Sequence, residues 1–345
     1  MKTTKTLISV ALLALAGAAA AQQSIPTNRP LGLDAVDQYR QLARFPRSSH
    51  PVADGVDPIM AKREISKQVL PGPNGEGPML GVWASSISYE PGETALLYAQ
   101  IVNEASVSSS DFARRLNRKT APLTITAKLV GENSGTLAQL VYRDDGRGAD
   151  RIAGDGIYSA SYTLPKNRAP KLGLAESVAV HVQAQSPKGE YRGALGGFLY
   201  SNPGARLTGR YKDEMRDGNM VVSAEVEVLA PGRYHLAGTM SASRSGGDSQ
   251  PMAWAQNAAE LKPGKQWVDL SYYGLIFHDM NAPGPYTMSS MALTSALGMP
   301  NAMSSVKHDV YSMATHDMSE FRAQPFNDSM LLDTIQRTAK DAGAQ

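Results

Sequence analysis

Apolar and polar residues alternate in short runs along most of this chain, with turn residues between the runs. Met79 to Asn103 (MLGVWASSISYEPGETALLYAQIVN) reads as strand, turn, strand, with Pro91-Gly92-Glu93 as the turn. Leu123–Leu129, Ala138–Tyr142, Gly156–Leu164, Glu176–Ala184 and Tyr191–Tyr200 continue the pattern. After Asn202-Pro203-Gly204 a second set begins: Met220–Leu229, Tyr234–Ser241, Pro251–Leu261, Trp267–Phe277 and Thr287–Leu293. Pro231-Gly232, Lys262-Pro263-Gly264 and Gly284-Pro285-Tyr286 separate them. Many short strands at this spacing predict an all-β chain with two immunoglobulin-like β-sandwich domains in tandem, over residues 79–203 and 204–324.

The flanks read differently. Residues 22–78 form an irregular N-terminal arm rich in Pro, Ser and Arg. A short amphipathic helix is predicted at Asp34–Arg44, with Asp34 as N-cap and Val36, Tyr39, Leu42 and Ala43 on one side. Asp57-Pro58 marks a second helix start. An extended arm lying on the next domain is the alternative. Pro71-Gly72-Pro73-Asn74-Gly75 ends the arm as a linker. Residues 325–345 form a tail with a short amphipathic helix at Ser329–Ala342, its apolar side carrying Leu331, Leu332, Ile335 and Ala339. At the other end, Lys2 and Lys5, the apolar run Leu7–Leu15 and Ala19-Ala20-Ala21 compose a secretory signal over residues 1–21. Cleavage is expected after Ala21, and the protein is expected in the periplasm or outside the cell.

Charge adds little. The 34 basic residues, less Lys2 and Lys5, equal the 32 acidic ones. The mature chain is neutral and has no basic run, so no nucleic-acid partner is expected. Beyond the leader no segment reaches the roughly 18 apolar residues that span a bilayer, so no membrane span is expected. The chain has no cysteine. Disulfide-stapled folds and thiol nucleophiles are excluded, and stability must come from hydrophobic cores.

The richest local feature is Tyr142–Tyr162 (YRDDGRGADRIAGDGIYSASY). It sets Asp144, Asp145, Asp150 and Asp155 among Gly146, Gly148, Gly154 and Gly156. Aspartate bonds to nearby backbone N–H groups and glycine supplies positive φ, so the loop predicts a hairpin-like connection. Carboxylates converging on a glycine-rich turn also suit Ca²⁺, with Asp144, Asp150 and Asp155 as ligands and Asp145 assisting. The spacing is not that of an EF-hand. The alternative is a self-bonded loop neutralised by Arg143, Arg147 or Arg151.

Two other groups carry candidate chemistry. Met280, Met288, Met291, Met299, Met303, Met313 and Met318 lie near His278, His308 and His316. Thioethers with imidazole suit Cu(I), with Met313, His316 and Met318 the closest local set, whereas methionine is also a common core filler. Trp83, Trp254, Trp267 and Tyr272-Tyr273 offer a stacking surface for a glycan, against the alternative that the tryptophans are core. Tyr272 and Tyr273 should point to opposite faces, leaving one exposed. His278-Asp279, His308-Asp309 and His316-Asp317 are poor triad partners, because strand neighbours diverge. The chain has no G-x-S-x-G, H-E-x-x-H, P-loop or post-strand G-x-G-x-x-G, and no enzyme is expected.

Two stretches carry a resemblance. Tyr89-Glu90-Pro91-Gly92, Asp144-Asp145-Gly146 and Ala153-Gly154-Asp155-Gly156-Ile157-Tyr158-Ser159 resemble bacterial choice-of-anchor-type immunoglobulin-like domains. Gly232-Arg233-Tyr234-His235-Leu236, Ala253-Trp254-Ala255, Leu261-Lys262-Pro263-Gly264 and Gly284-Pro285-Tyr286 resemble an accessory β-sandwich found beside secreted hydrolases and in exported proteins. Together, over Met79–Phe321, they resemble an uncharacterised family of exported bacterial proteins that pairs such a domain with a domain of unknown function. The resemblance implies a stalk, spacer or binding module with a buried Tyr158 and an unidentified protein or glycan partner. A metal-handling envelope protein, with Ca²⁺ in the Asp loop or copper in the Met/His cluster, is one alternative. An accessory or inhibitor partner of a secreted hydrolase is the other.

Overall fold

The computed structural model describes residues 31–52, 55–61, 68–70, 79–102, 123–185, 191–243 and 249–341. The expected leader and the Pro71–Gly75 linker lie outside these residues. The described chain opens with α1 (Leu31–Ala43), β1 (Ser49–Pro51) and α2 (Pro58–Ala61). There follow β2 (Gln68–Leu70), β3 (Met79–Ala84), β4 (Ser88–Tyr89), β5 (Thr94–Val102), β6 (Thr124–Gly131) and β7 (Gly135–Tyr142). Then come β8 (Ile157–Thr163), β9 (Leu174–Gln185) and β10 (Tyr191–Asn202). The second half holds β11 (Ala205–Arg216), β12 (Asn219–Val228), β13 (Gly232–Ser243), β14 (Ser249–Leu261) and β15 (Gly264–Tyr272). It ends with α3 (Gly274–Met280), β16 (Tyr286–Ser295), β17 (Ala302–Met303), β18 (Lys307–Met313) and α4 (Ser329–Asp341).

The fold is all-β, and its strands bury two separate cores. The first core lies between the sheets β2-β3-β5-β8 and β4-β10-β9-β6-β7. Leu80, Leu97, Ile125, Leu129, Val180 and Tyr200 fill it. Period two does the sorting: along β6 the even-numbered side chains face outward or sideways while Ile125, Ala127 and Leu129 face in. Among the described strands β4 and β10 pair in parallel and the other pairings are antiparallel. The second core lies between β11-β12-β15 and a sheet ordered β1-β14-β13-β16-β17, with β18 also on β16. Val222, Val226, Leu236, Leu270, Phe277 and Met291 are among its fillers. Two buried tyrosines pin loops here: Tyr234 Oη–H donates to the Ala230 carbonyl at 2.5 Å and Tyr286 Oη–H to that of Ala282 at 2.7 Å.

The expected strand at Trp267–Phe277 is corrected. β15 stops at Tyr272, and Gly274–Met280 is helical. An unbroken apolar run carries no period, so strand and buried helix look alike in sequence. Close approach decides here: a Cβ on Gly274 would stand 2.1 Å from the Gly218 carbonyl oxygen. The change of direction also buries both tyrosines, with Tyr272 0% and Tyr273 4% exposed. Tyr273 lies under the segment that precedes α4, its hydroxyl donating to the Gln324 carbonyl at 2.9 Å.

The flanks belong together. α1 packs on α4 through Val36, Ala43 and Ile335, with Tyr39, Leu331 and Ala339 beside them. α1 begins at Leu31, so Asp34 lies inside the helix and not at its cap. Asp57 does open α2, its Oδ1 accepting from Ile59 N–H at 2.9 Å. β1 joins β14 of the second core, not the sheet that follows it in sequence.

Candidate functional site

The Asp loop leaves β7 at Tyr142 and enters β8 at Ile157, so it crosses from one sheet of the first core to the other. Arg143 and Ser159 close its base through two backbone bonds of 2.9 and 2.8 Å. Gly146, Gly148, Gly154 and Gly156 all have positive φ, between 64° and 82°. Asp144 organises the far side. Its Oδ1 accepts from Gly154 N–H at 2.6 Å and Asp155 N–H at 3.2 Å, and its Oδ2 from Gly156 N–H at 3.1 Å. Asp150 is buried, and its carboxylate accepts from Gly146 N–H at 2.5 Å and Ile152 N–H at 3.3 Å. Asp155 accepts from Ile157 N–H at 2.8 Å.

One carboxylate oxygen from each of Asp144, Asp150 and Asp155 lies within 4.8 Å of the others. Burial raises the pKa of Asp155, and the charges of Asp144 and Asp150 push the same way, against the Ile157 hydrogen bond. Three carboxylates thus share a small volume, a geometry with the oxygen chemistry of a hard cation. Asp145 stands apart from that group. Its carboxylate accepts from Arg147 N–H at 3.0 Å and faces Arg143 at 3.7 Å.

The Met/His residues divide between the second core and the surface. Met288, Met291 and Met313 are buried in the second core, and Met280 and Met318 pack against it. Met299 is 87% exposed. His316 Nδ1 faces Glu320 at 3.3 Å, and His278 Nε2 bonds the Phe321 carbonyl at 3.0 Å. The aromatics are dispersed. Trp83 stacks on Tyr98 at 5.4 Å, and Trp254 lies against His50 at 6.2 Å. Trp267 is 40% exposed on β15, with Lys212 5.0 Å and Arg210 5.8 Å from its ring centre.

A polar cavity of ≈ 340 Å³ at the junction of the two cores has no counterpart in the sequence reading. Glu90 and Glu93 line one side, and Arg206, Ser304, Ser305 and Lys307 the other. Ser305 N–H donates to Glu90 at 2.8 Å, its hydroxyl donates to Glu93 at 2.5 Å, and Arg206 stands 3.6 Å from Glu90. Tyr89-Glu90-Pro91-Gly92-Glu93 reads as a turn, and nothing in its local pattern says that the turn grips a loop more than two hundred residues away.

The fold and loop define an all-β protein with two cores and without a helix long and apolar enough to cross a membrane among the described residues. Residues 204–303 match the family model described as the C-terminal domain of a domain of unknown function, DUF4785. The match covers most of the second core, and the matched family has no assigned role. No curated protein matches the chain. Among solved structures, a DUF4785 family protein from Legionella pneumophila is 16% identical, with a TM-score of 0.41. The similarity covers 73% of this chain and 57% of that one, so this chain spans little more than half that protein's length. Escherichia coli alpha-2-macroglobulin activated by porcine elastase is 13% identical over 70% of this chain and 20% of its own, TM-score 0.21. The sporulation control protein Spo0M of Bacillus subtilis is 12% identical over 59% of this chain and 94% of its own, TM-score 0.22.

Proposed function

We propose that this chain is an exported, non-enzymatic binding or structural protein of the bacterial envelope, built from two immunoglobulin-like sandwiches in tandem. The observation that carries the reading is the clasp between the two cores. Besides the Glu90 and Glu93 bonds to Ser305, Ser295 Oγ–H donates to the Gly173 carbonyl at 2.9 Å, and Leu174 forms a β-bridge with Asn301. Two modules joined this way keep a fixed spacing, as a spacer or binding platform requires. The tyrosine hydroxyls bonded back to carbonyls four residues upstream support the immunoglobulin-like reading of the second module. Trp267, with Arg210 and Lys212, supplies a surface for a glycan partner. Expression with the native leader in a bacterial host tests the proposal. A mature chain starting at Gln22 in the periplasmic or culture fraction is expected. An uncleaved cytoplasmic chain would overturn it.

The gathered carboxylates favour a second reading, in which Asp144, Asp150 and Asp155 hold Ca²⁺ and stiffen the first module. A ligand bound to the native state raises stability by mass action. Thermal unfolding should rise with Ca²⁺, fall back with chelator, and lose the response in Asp155→Ala. Equal melting in all three conditions leaves the loop as a self-bonded turn.

A further inference from the structure

The edge of β14 is occupied by a segment from the other end of the chain. β14 runs for 13 residues, and β1 pairs with Ala253, Trp254 and Ala255 only. Two flanking bonds extend the contact: Gln256 N–H donates to the Ser48 carbonyl and Val52 N–H to that of Met252, both at 2.8 Å. On that side no described strand pairs with Asn257–Leu261. The segment presents its side chains as a bound strand does. Ser49 is fully buried, and its Oγ accepts from Tyr273 N–H at 2.9 Å. The His50 ring stacks on Trp254 with 16° between planes, and Val52 is buried.

The segment is held less well than the strands beneath it. Just downstream, α2 lies on β13 and β16. Below runs a cross-strand row of His50, Trp254, Thr239, Ser290 and His308. Thr239 Oγ1–H donates to Asp57 at 2.8 Å. Ser290 Oγ and His50 Nδ1 are buried and have no hydrogen-bond partner among the described residues. Only three residues of β1 pair with β14, and an edge contact this short opens at lower free energy than the core does.

We propose that the β14 edge is a strand-acceptor site, that residues 48–52 are its resident occupant, and that an extended segment of a partner protein takes their place. The partner chemistry follows from the resident: a small polar residue, then a ring, then a position without demand, then an aliphatic residue. A longer partner strand would also engage Asn257–Leu261, gaining main-chain bonds that β1 does not make. This inference does not depend on export or on calcium.

A fluorescent peptide of residues 44–61 is the probe, and the full-length chain is the receptor. Ser49→Glu puts a charge into a fully buried position and should eject the resident. The peptide should bind this variant at least tenfold more tightly than the unaltered chain, and Trp254→Ala in the same background should abolish the gain. A folded Ser49→Glu chain that does not bind, or equal binding to both chains, would overturn the proposal. Hydrogen exchange on the unaltered chain decides independently of whether the variant folds. The Val52 and Gln256 amides should exchange through an opening that leaves β12 and β13 protected. Exchange of all of them together, only in global unfolding, would also overturn it.

Discussion

The Asp loop and the N-terminal segment both take polar groups out of water, and they do so with opposite outcomes. In the loop, Asp144 and Asp150 accept five backbone N–H bonds between them. In the segment His50 Nδ1 finds no partner among the described residues, and neither does Ser290 Oγ on β16, where α2 lies. A satisfied polar cluster fixes one conformation, because every alternative leaves donors unpaired. An unsatisfied one taxes the closed state and lowers the cost of leaving it. The loop is therefore built to stay and the segment to move.

The largest effect that would break this contrast is at Asp144. Asp144→Ala removes the acceptor of three backbone N–H groups and should cost the first module about 2–3 kcal/mol. Asp145→Ala, outside the carboxylate group, should cost less than about 0.5 kcal/mol. Urea unfolding of the two variants checks both, and equal losses would show that the loop is held by charge alone. Next in size is Ser290→Ala, which removes a buried hydroxyl without a partner among the described residues. It should stabilise the protein by about 1 kcal/mol in urea unfolding. Destabilisation would mean that the hydroxyl is satisfied.

The same contrast explains what the sequence discloses. Asp144 bonds to Gly154, Asp155 and Gly156, all within a dozen residues, so the loop announces itself through Asp and Gly spacing. Alternation likewise exposes β6 and β9, whose side chains take turns between core and solvent. β11 escapes notice because it is a charged edge strand with a register shift between Leu207 and Tyr211. The partner of β1 lies about two hundred residues away, and three residues carry no period, so Ser49 and His50 give no local sign. α1 and α4 are each legible as amphipathic helices, whereas their pairing depends on apolar faces that fit many partners equally well.

Inside the loop, Asp155→Asn sharpens the comparison further. The amide oxygen can still accept from Ile157 N–H, and the repulsion from Asp144 and Asp150 is gone. In chelator this variant should melt slightly above the unaltered chain. With Ca²⁺ the order should reverse, because one charged ligand has been lost. A variant that melts lower in chelator would mean that Asp155 stabilises the loop as a charge.

Asp269 is the converse case, with the smallest expected effect. Burial alone would raise its pKa, but the Ser223 hydroxyl at 2.7 Å and Arg216 at 3.0 Å outweigh burial and hold it below the ordinary value. A carboxylate lowered on folding stabilises the native state above its unfolded pKa of about 3.9. That contribution fades as pH falls through the folded value. Asp269→Asn should therefore lower the urea midpoint at pH 7 and leave it unchanged well below that folded value. Because the side chain is 38% exposed, solvent screening keeps the loss under about 1 kcal/mol. A midpoint difference that persists undiminished in strong acid would assign the effect of Asp269 to packing under Asn257, which donates to its backbone carbonyl at 2.8 Å, and not to its charge.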